Sequence, residues 1–197
     1  MMAVNNRLLA VVLALLTLLC LLYLSAPAQS KAQPAKPPAK PKDAHAAVQT
    51  FFMLLKNQKY ASLYEFLPSQ LQQQTTPMQL ALSLKRLESF ITIERMETGR
   101  TQQKGDYAVV DTTIYGRLKK PLKVNGEEVT EGRVYVQQYL FKENSNWKIA
   151  TADNRTRDFF LKSHPEFNKE FQFVLPKFEF KQKGQWAPLL NAFKQNQ

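Results

Sequence analysis

The sequence predicts an α+β protein, with helices packed on a curved antiparallel sheet. Two observations carry that reading. Between Asp43 and Glu88 apolar residues recur at helical spacing and are punctuated by capping residues. From Phe90 to Ala152 they alternate with polar residues, in runs separated by turn signals. Helices grouped ahead of a run of antiparallel strands define the α+β class.

Three helices are expected. Asp43 is placed to cap the first, whose Val48, Phe51, Phe52 and Leu55 share one face. Asn57-Gln58-Lys59 is a polar break. A short second helix carries Tyr60, Leu63, Phe66 and Leu67 and stops at Pro68, which has no amide donor. Gln70–Thr76 is polar and receives no element. Thr76-Pro77-Met78-Gln79 then starts the third helix. Thr76 is its N-cap, Pro77 its first residue, and Gln79 closes a capping box. Leu80, Ala81, Leu84 and Leu87 form its apolar side.

The strands follow. Phe90–Glu97 is rich in β-formers, and Lys104-Gly105-Asp106 is a turn. Tyr107–Leu118 alternates, placing Tyr107, Val109, Asp111, Thr113 and Tyr115 on one face. Asn125-Gly126 is a strong hairpin signal. Arg133–Lys142 alternates again, Glu143–Asn146 is a turn, and Trp147–Ala152 is the closing strand, with Trp147 on the core side beside Ile149.

The layout resembles the cone-shaped, cystatin-like α+β domains of the nuclear-transport-factor-2-like superfamily, in its exported bacterial form. The likeness lies in Val48–Leu55, in the step from Asn57 through Tyr60 to Leu67-Pro68, and in the end strand Ser145-Asn146-Trp147-Lys148-Ile149. It covers Asp43 to about Asn154. The resemblance implies a curved sheet wrapped around one helix, with a pocket at the open end of the cone. It implies no single function, because the superfamily contains both enzymes and non-catalytic binding domains.

Ahead of this domain, residues 8–24 read LLAVVLALLTLLCLLYL, without a charge, after Arg7. Such a run is longer than most signal cores and, at 1.5 Å per residue, reaches only about 26 Å as a helix. Two readings stay open: a membrane anchor, or a signal peptide cut after Ala26-Pro27-Ala28. Both make residues 1–28 an export element and residues 29–42, rich in Pro, Ala and Lys, an extended spacer. The expected location is therefore the cell envelope, periplasmic or at the surface, with the membrane as a partner through residues 8–24. A positive-inside count opposes this orientation, since Lys31, Lys36, Lys40 and Lys42 follow the run.

The chain has 27 Lys and Arg against 16 Asp and Glu, a net charge of +11. Setting aside Arg7 and the four spacer lysines leaves 22 against 16 on Asp43–Gln197. This is basic without the concentrated stripe or stacking motif of a nucleic-acid module, so nucleic acid is not an expected partner. An anionic envelope polymer, a lipid headgroup or a protein is expected instead, and a homodimer through the sheet is a further expectation. The single cysteine, Cys20, lies in the apolar run, so no disulfide framework or cysteine metal site exists downstream. No cofactor is expected.

No catalytic set stands out. His45 falls in the first turn of the first helix, and His164 precedes Pro165 in a polar stretch; neither is read as catalytic. Asp111 is the one carboxylate of interest. If its face is inward, burial raises its pKa and makes it a base; if outward, it is a solvated surface group. Arg155–Gln197 holds eight of the 13 phenylalanines. There Phe171 and Phe173 pair on one face, Phe178 and Phe180 on another, with a bend at Leu175-Pro176. The expectation is a basic, Phe-rich extension of 155–197 folding back on the 43–154 domain as paired strands. Its edge of Lys177, Lys181, Lys183 and Trp186, with Asp111 and Tyr115, supplies the candidate binding residues. The chain is thus expected to be a non-catalytic interaction or ligand-binding domain, tethered or exported. An envelope enzyme using Asp111 in the cone pocket is the alternative.

Overall fold

The structure, a computed structural model, describes residues 40–124, 127–150, 160–172 and 174–188. The apolar run 8–24, most of the spacer, the Asn125-Gly126 step and Phe173 lie outside them.

Helix α1 (Ala44–Lys56) begins as its sequence requires: the Asp43 side chain accepts the Ala46 amide at 2.7 Å. It ends where Gln58 takes a left-handed φ of 57° and the Asn57, Gln58 and Lys59 amides bond back to the last turn. Helix α2 (Tyr60–Leu63) runs into a 3-10 turn, Tyr64–Phe66, ahead of Pro68. Helix α4 (Pro77–Glu88) carries the expected capping box, Gln79 amide to Thr76 Oγ1 at 3.2 Å and Thr76 amide to Gln79 Oε1 at 2.8 Å.

Between α2 and α4 lies an unexpected helix, α3 (Ser69–Gln74), so among the described residues four helices rather than three precede the sheet. Its glutamines are good helix formers. Its N-terminus is capped from far away: the Glu143 carboxylate accepts the Ser69 amide at 3.0 Å and the Ser69 hydroxyl. Local sequence does not contain a cap that comes from 74 residues downstream.

Strands β1 (Ile91–Lys104), β2 (Tyr107–Val124), β3 (Glu127–Glu143) and β4 (Asn146–Ala150) follow. After a short helix, α5 (Phe167–Glu170), come β5 (Lys177–Gln182) and β6 (Gln185–Pro188). All strand pairs are antiparallel, in a six-stranded sheet ordered β1-β2-β3-β5-β6. Strand β3 is long enough to hold two partners on one edge: Gly132–Tyr135 pairs with β5, and Tyr139–Glu143 with β4. The hairpins β3-β4 and β5-β6 turn on residue pairs with positive φ, Asn144-Ser145 (49° and 59°) and Lys183-Gly184 (47° and 81°). Two consecutive left-handed residues are the turn geometry that matches strand twist.

The sheet has two covered faces. On the first, Ala108, Val110, Leu140, Trp147 and Ile149 meet Val48, Phe52, Leu63, Phe66, Leu80 and Leu84 of the helices. Trp147 is buried there, as expected. The same face ends in a smaller cluster of Leu87, Ile91, Leu118, Val124, Val129 and Phe180. On the second face, Val109, Tyr139 and Phe141 are covered by Phe160, Phe167 and Phe171 from the C-terminal residues. That cover spans only one end of the face.

Two expectations are corrected. Among the described residues no helix is long and apolar enough to cross a membrane. The longest, α1, has 13 residues and reaches only about 20 Å. The assignment as a transmembrane, signal-bearing envelope protein rested on residues 8–24 and finds no counterpart in the folded part, which is an α+β body with the six-stranded sheet. The second correction concerns the C-terminal strands. Phe171 does not lie in a strand paired with Phe178 and Phe180; it follows α5 and packs on the second face, whereas Phe180 packs on the first. The hairpin lies further on, at Lys183-Gly184, because the unit that pairs with β5 is β6.

Candidate functional site

Strand alternation decides where Asp111 goes. Val110 and Thr112 face the helices, so Asp111 faces the opposite side with Val109 and Tyr115. It is half-buried, and Gln137, its cross-strand partner, donates from Nε2 to its Oδ1 at 3.1 Å. A polar pair, Thr112 and Gln138, faces the helices at this level, with Gln138 Nε2 donating to Thr112 Oγ1 at 3.2 Å and Thr112 Oγ1 donating to the Val136 carbonyl at 2.7 Å.

Beyond Asp111, the uncovered end of the second face forms a groove of about 510 Å3. One register row crosses it: Arg95 on β1, Tyr115 on β2, Arg133 on β3 and Glu179 on β5 are successive cross-strand partners. Glu94, Glu131, Lys181 and Trp186 complete the polar walls, and Gly116 and Gly132 form part of the lining as a cross-strand pair. Neither glycine needs a left-handed backbone. Each leaves room on the helix face: a Cβ at Gly116 would meet Ile91 Cδ1 at 2.6 Å, and one at Gly132 would meet the Phe180 ring at 3.3 Å.

The aromatic residues hold the cations in place. Arg95 lies over the Tyr115 ring at 3.8 Å, and Arg133 lies over the Trp186 ring at 4.4 Å. Tyr115 and Trp186 meet edge to face, with centroids 6.1 Å apart. Carboxylates then pair every cation of the row. Arg95 meets Glu97 at 2.7 Å, and Glu97 also accepts the Tyr115 hydroxyl at 3.0 Å. Arg133 Nε meets Glu179 at 2.6 Å, Arg117 Nε meets Glu94 at 2.6 Å, and Lys181 meets Glu131 at 3.1 Å. Burial opposes the charge on Arg133, but the hydrogen bond and charge of Glu179 outweigh it and hold the guanidinium above its usual range.

The expected binding residues therefore separate. Tyr115, Lys181 and Trp186 come together in the groove, and Asp111 lies next to it on the same face. Lys177 and Lys183 do not line it; Lys183 sits in the β5-β6 turn and pairs with Glu127 at 2.8 Å. Arg95, Arg133, Glu94 and Glu131 were missed, because they belong to strands far apart in sequence. Their signal was weak but present: Arg133, Tyr135 and Gln137 alternate on β3 as Tyr115, Thr113 and Asp111 do on β2.

The two histidines are packed into the structure. His45 bridges α1 to β1, its Nδ1 and Nε2 each 3.2 Å from a threonine hydroxyl, Thr101 and Thr98. His164 stacks on Phe160 at 4.7 Å and leans on Phe141 at 4.4 Å. Among the described residues no group of three or more His, Cys, Asp or Glu is arranged to hold a metal.

No family model matches this chain. No curated protein matches it either. Among solved structures it is similar to a SEC-C motif containing protein from Rhodopseudomonas palustris, at 11% identity and a TM-score of 0.41, over 58% of this chain and 77% of the other. It is also similar to a putative calcium/calmodulin dependent protein kinase II association domain from Xanthomonas campestris, at 14% identity and a TM-score of 0.32, over 60% and 92%. Likeness at that level settles neither the fold family nor the function.

Proposed function

We propose that this chain is a non-catalytic ligand-binding domain of the nuclear-transport-factor-2-like build, with the Tyr115–Trp186 groove as its binding site. The family reading rests on the order of elements, helices first and then long antiparallel strands, with α1 packed on β1, β2 and β4. The observation that carries the function is the division of labour between the two faces. The space between helices and sheet, where a cone enzyme keeps its acid or base, is filled by Ala108, Val110, Leu140, Phe52 and Trp147. The open, polar and aromatic surface is on the other side. A concave site of a few hundred Å3 with an aromatic wall and fixed polar groups is the usual form of a small-ligand pocket.

The enzyme alternative requires Asp111 to work beside a second acid, base or nucleophile. Its neighbour is the Gln137 amide, which can orient a carboxylate but not exchange a proton with it at neutral pH.

A thermal-shift screen of small molecules tests the reading. Ligands that raise the melting temperature should lose that effect in Trp186→Ala and in Arg95→Ala, and keep it in Asp111→Asn. Hits that survive both groove variants place the site elsewhere. A turnover abolished by Asp111→Asn in a folded protein favours the enzyme.

A further inference from the structure

We infer that the ligand of this groove is a neutral, hydroxyl-rich ring, the chemistry of a saccharide, and not an anion. The inference rests on the groove being a binding site, as proposed above.

Charge balance is the first ground. Arg95, Arg117, Arg133 and Lys181 face four carboxylates, Glu94, Glu97, Glu131 and Glu179, each cation within 4 Å of at least one. Counted with their ion-pair partners Arg117, Glu97 and Glu179, the charged residues of the lining balance, within a chain of net charge +11. An entering phosphate or carboxylate finds each of these cations already neutralised by a carboxylate at 2.6–3.1 Å, and those carboxylates repel it. The basic surface suggested by Lys181 and Lys183 is neutralised in the same way, by Glu131 and Glu127.

The second ground is what paired charges offer a neutral guest. A guanidinium bound through one edge keeps N–H donors on the other, and a carboxylate has lone pairs beyond the one in its ion pair. Side chains locked by ion pairs and by stacking on rings lose little freedom when a ligand arrives. Hydroxyl groups, which both donate and accept, match such a mixed array; an anion, which only accepts, does not.

The third ground is the wall. Trp186 is half-buried and lines the groove. An indole offers an apolar body with a polar tip, which suits a ring with C–H faces and hydroxyl edges.

The test uses the full chain and Trp186 fluorescence, with Trp147→Phe as the background so that one indole reports. Maltotetraose and chitotetraose are the neutral probes; inorganic polyphosphate and heparin are the anionic ones. Each is titrated at low and at physiological salt. A neutral oligosaccharide should bind with an affinity that changes less than about twofold with salt, since no net charge is screened. Isothermal titration calorimetry, which needs no indole, should show that affinity fall about tenfold or more in Trp186→Ala. Arg95→Ala, on an exposed side chain, should weaken it without unfolding the protein. Saturable binding of polyphosphate or heparin alone, falling steeply with salt, overturns the neutral-ligand inference and leaves the groove as a site. If none of the probes alters Trp186, and the melting screen finds no groove-dependent ligand, both readings fail together.

Discussion

The ring of Phe180 occupies the space that a side chain at Gly132 would need. A Cβ built on Gly132 stands 3.3 Å from Phe180 Cδ1 and Cε1, and the two residues are cross-strand partners on β3 and β5. The contact seats the C-terminal hairpin on the first face, where Phe180 packs with Leu118 and Val129. Gly132→Val should therefore destabilise the protein by about 1–3 kcal/mol through overpacking. Phe180→Leu in the same chain should recover part of the loss. A Gly132→Val protein with the wild-type denaturant midpoint would mean that the ring yields freely.

Trp147 is the largest side chain between β4 and the helices, and it is buried beside Ile149. Trp147→Ala should cost about 3–5 kcal/mol in a urea or guanidinium melt. A loss below about 1 kcal/mol would contradict the packing described here.

Tyr60 ties α2 to α4 through a hydrogen bond to Glu88. Burial first, and then the bond to Glu88 and its negative charge, push the phenol pKa up. The neutral phenol is the form the fold prefers. Its contribution is complete below the unfolded value of about 10 and is lost as pH rises beyond that toward the folded value. Stability should fall as pH rises above about 10, and Tyr60→Phe should flatten that fall. An unchanged slope in Tyr60→Phe would assign the alkaline loss to other groups.

Arg133 and Glu179 form the least exposed ion pair of the groove, with side chains 19% and 21% exposed. A double-mutant cycle with Arg133→Met and Glu179→Gln should give a coupling of about 1 kcal/mol, at the upper end for pairs in contact with water. Coupling near zero would mean that stacking on Trp186 alone holds the guanidinium.

A chain ending before Asn168 loses Phe171, Phe180 and the last two strands. Burial of each phenylalanine ring is worth roughly 2–3 kcal/mol. The truncated protein should lose at least about 4 kcal/mol, or fail to fold, in a circular-dichroism melt. Wild-type stability would make these strands a dispensable addition.

Much of the fold was legible because it is written locally. The Asp43 cap, the Thr76–Gln79 box, the alternation of Tyr107–Leu118 and the burial of Trp147 all depend on residues within a few positions of each other. Alternation also placed Asp111 and Tyr115 on one face, but it does not say which face meets the helices. That choice follows from how Val110 and Ala108 pack against α1, a contact between distant segments. The cap of α3 by Glu143, the separation of Phe171 from Phe180, and the pairing of Arg117, Arg133 and Lys181 with carboxylates on other strands are of the same kind. Composition determined that this chain is basic. Tertiary structure decided that its groove is not, because strand register brings the carboxylates of Glu94, Glu179 and Glu131 against Arg117, Arg133 and Lys181, beside the same-strand pair Arg95–Glu97.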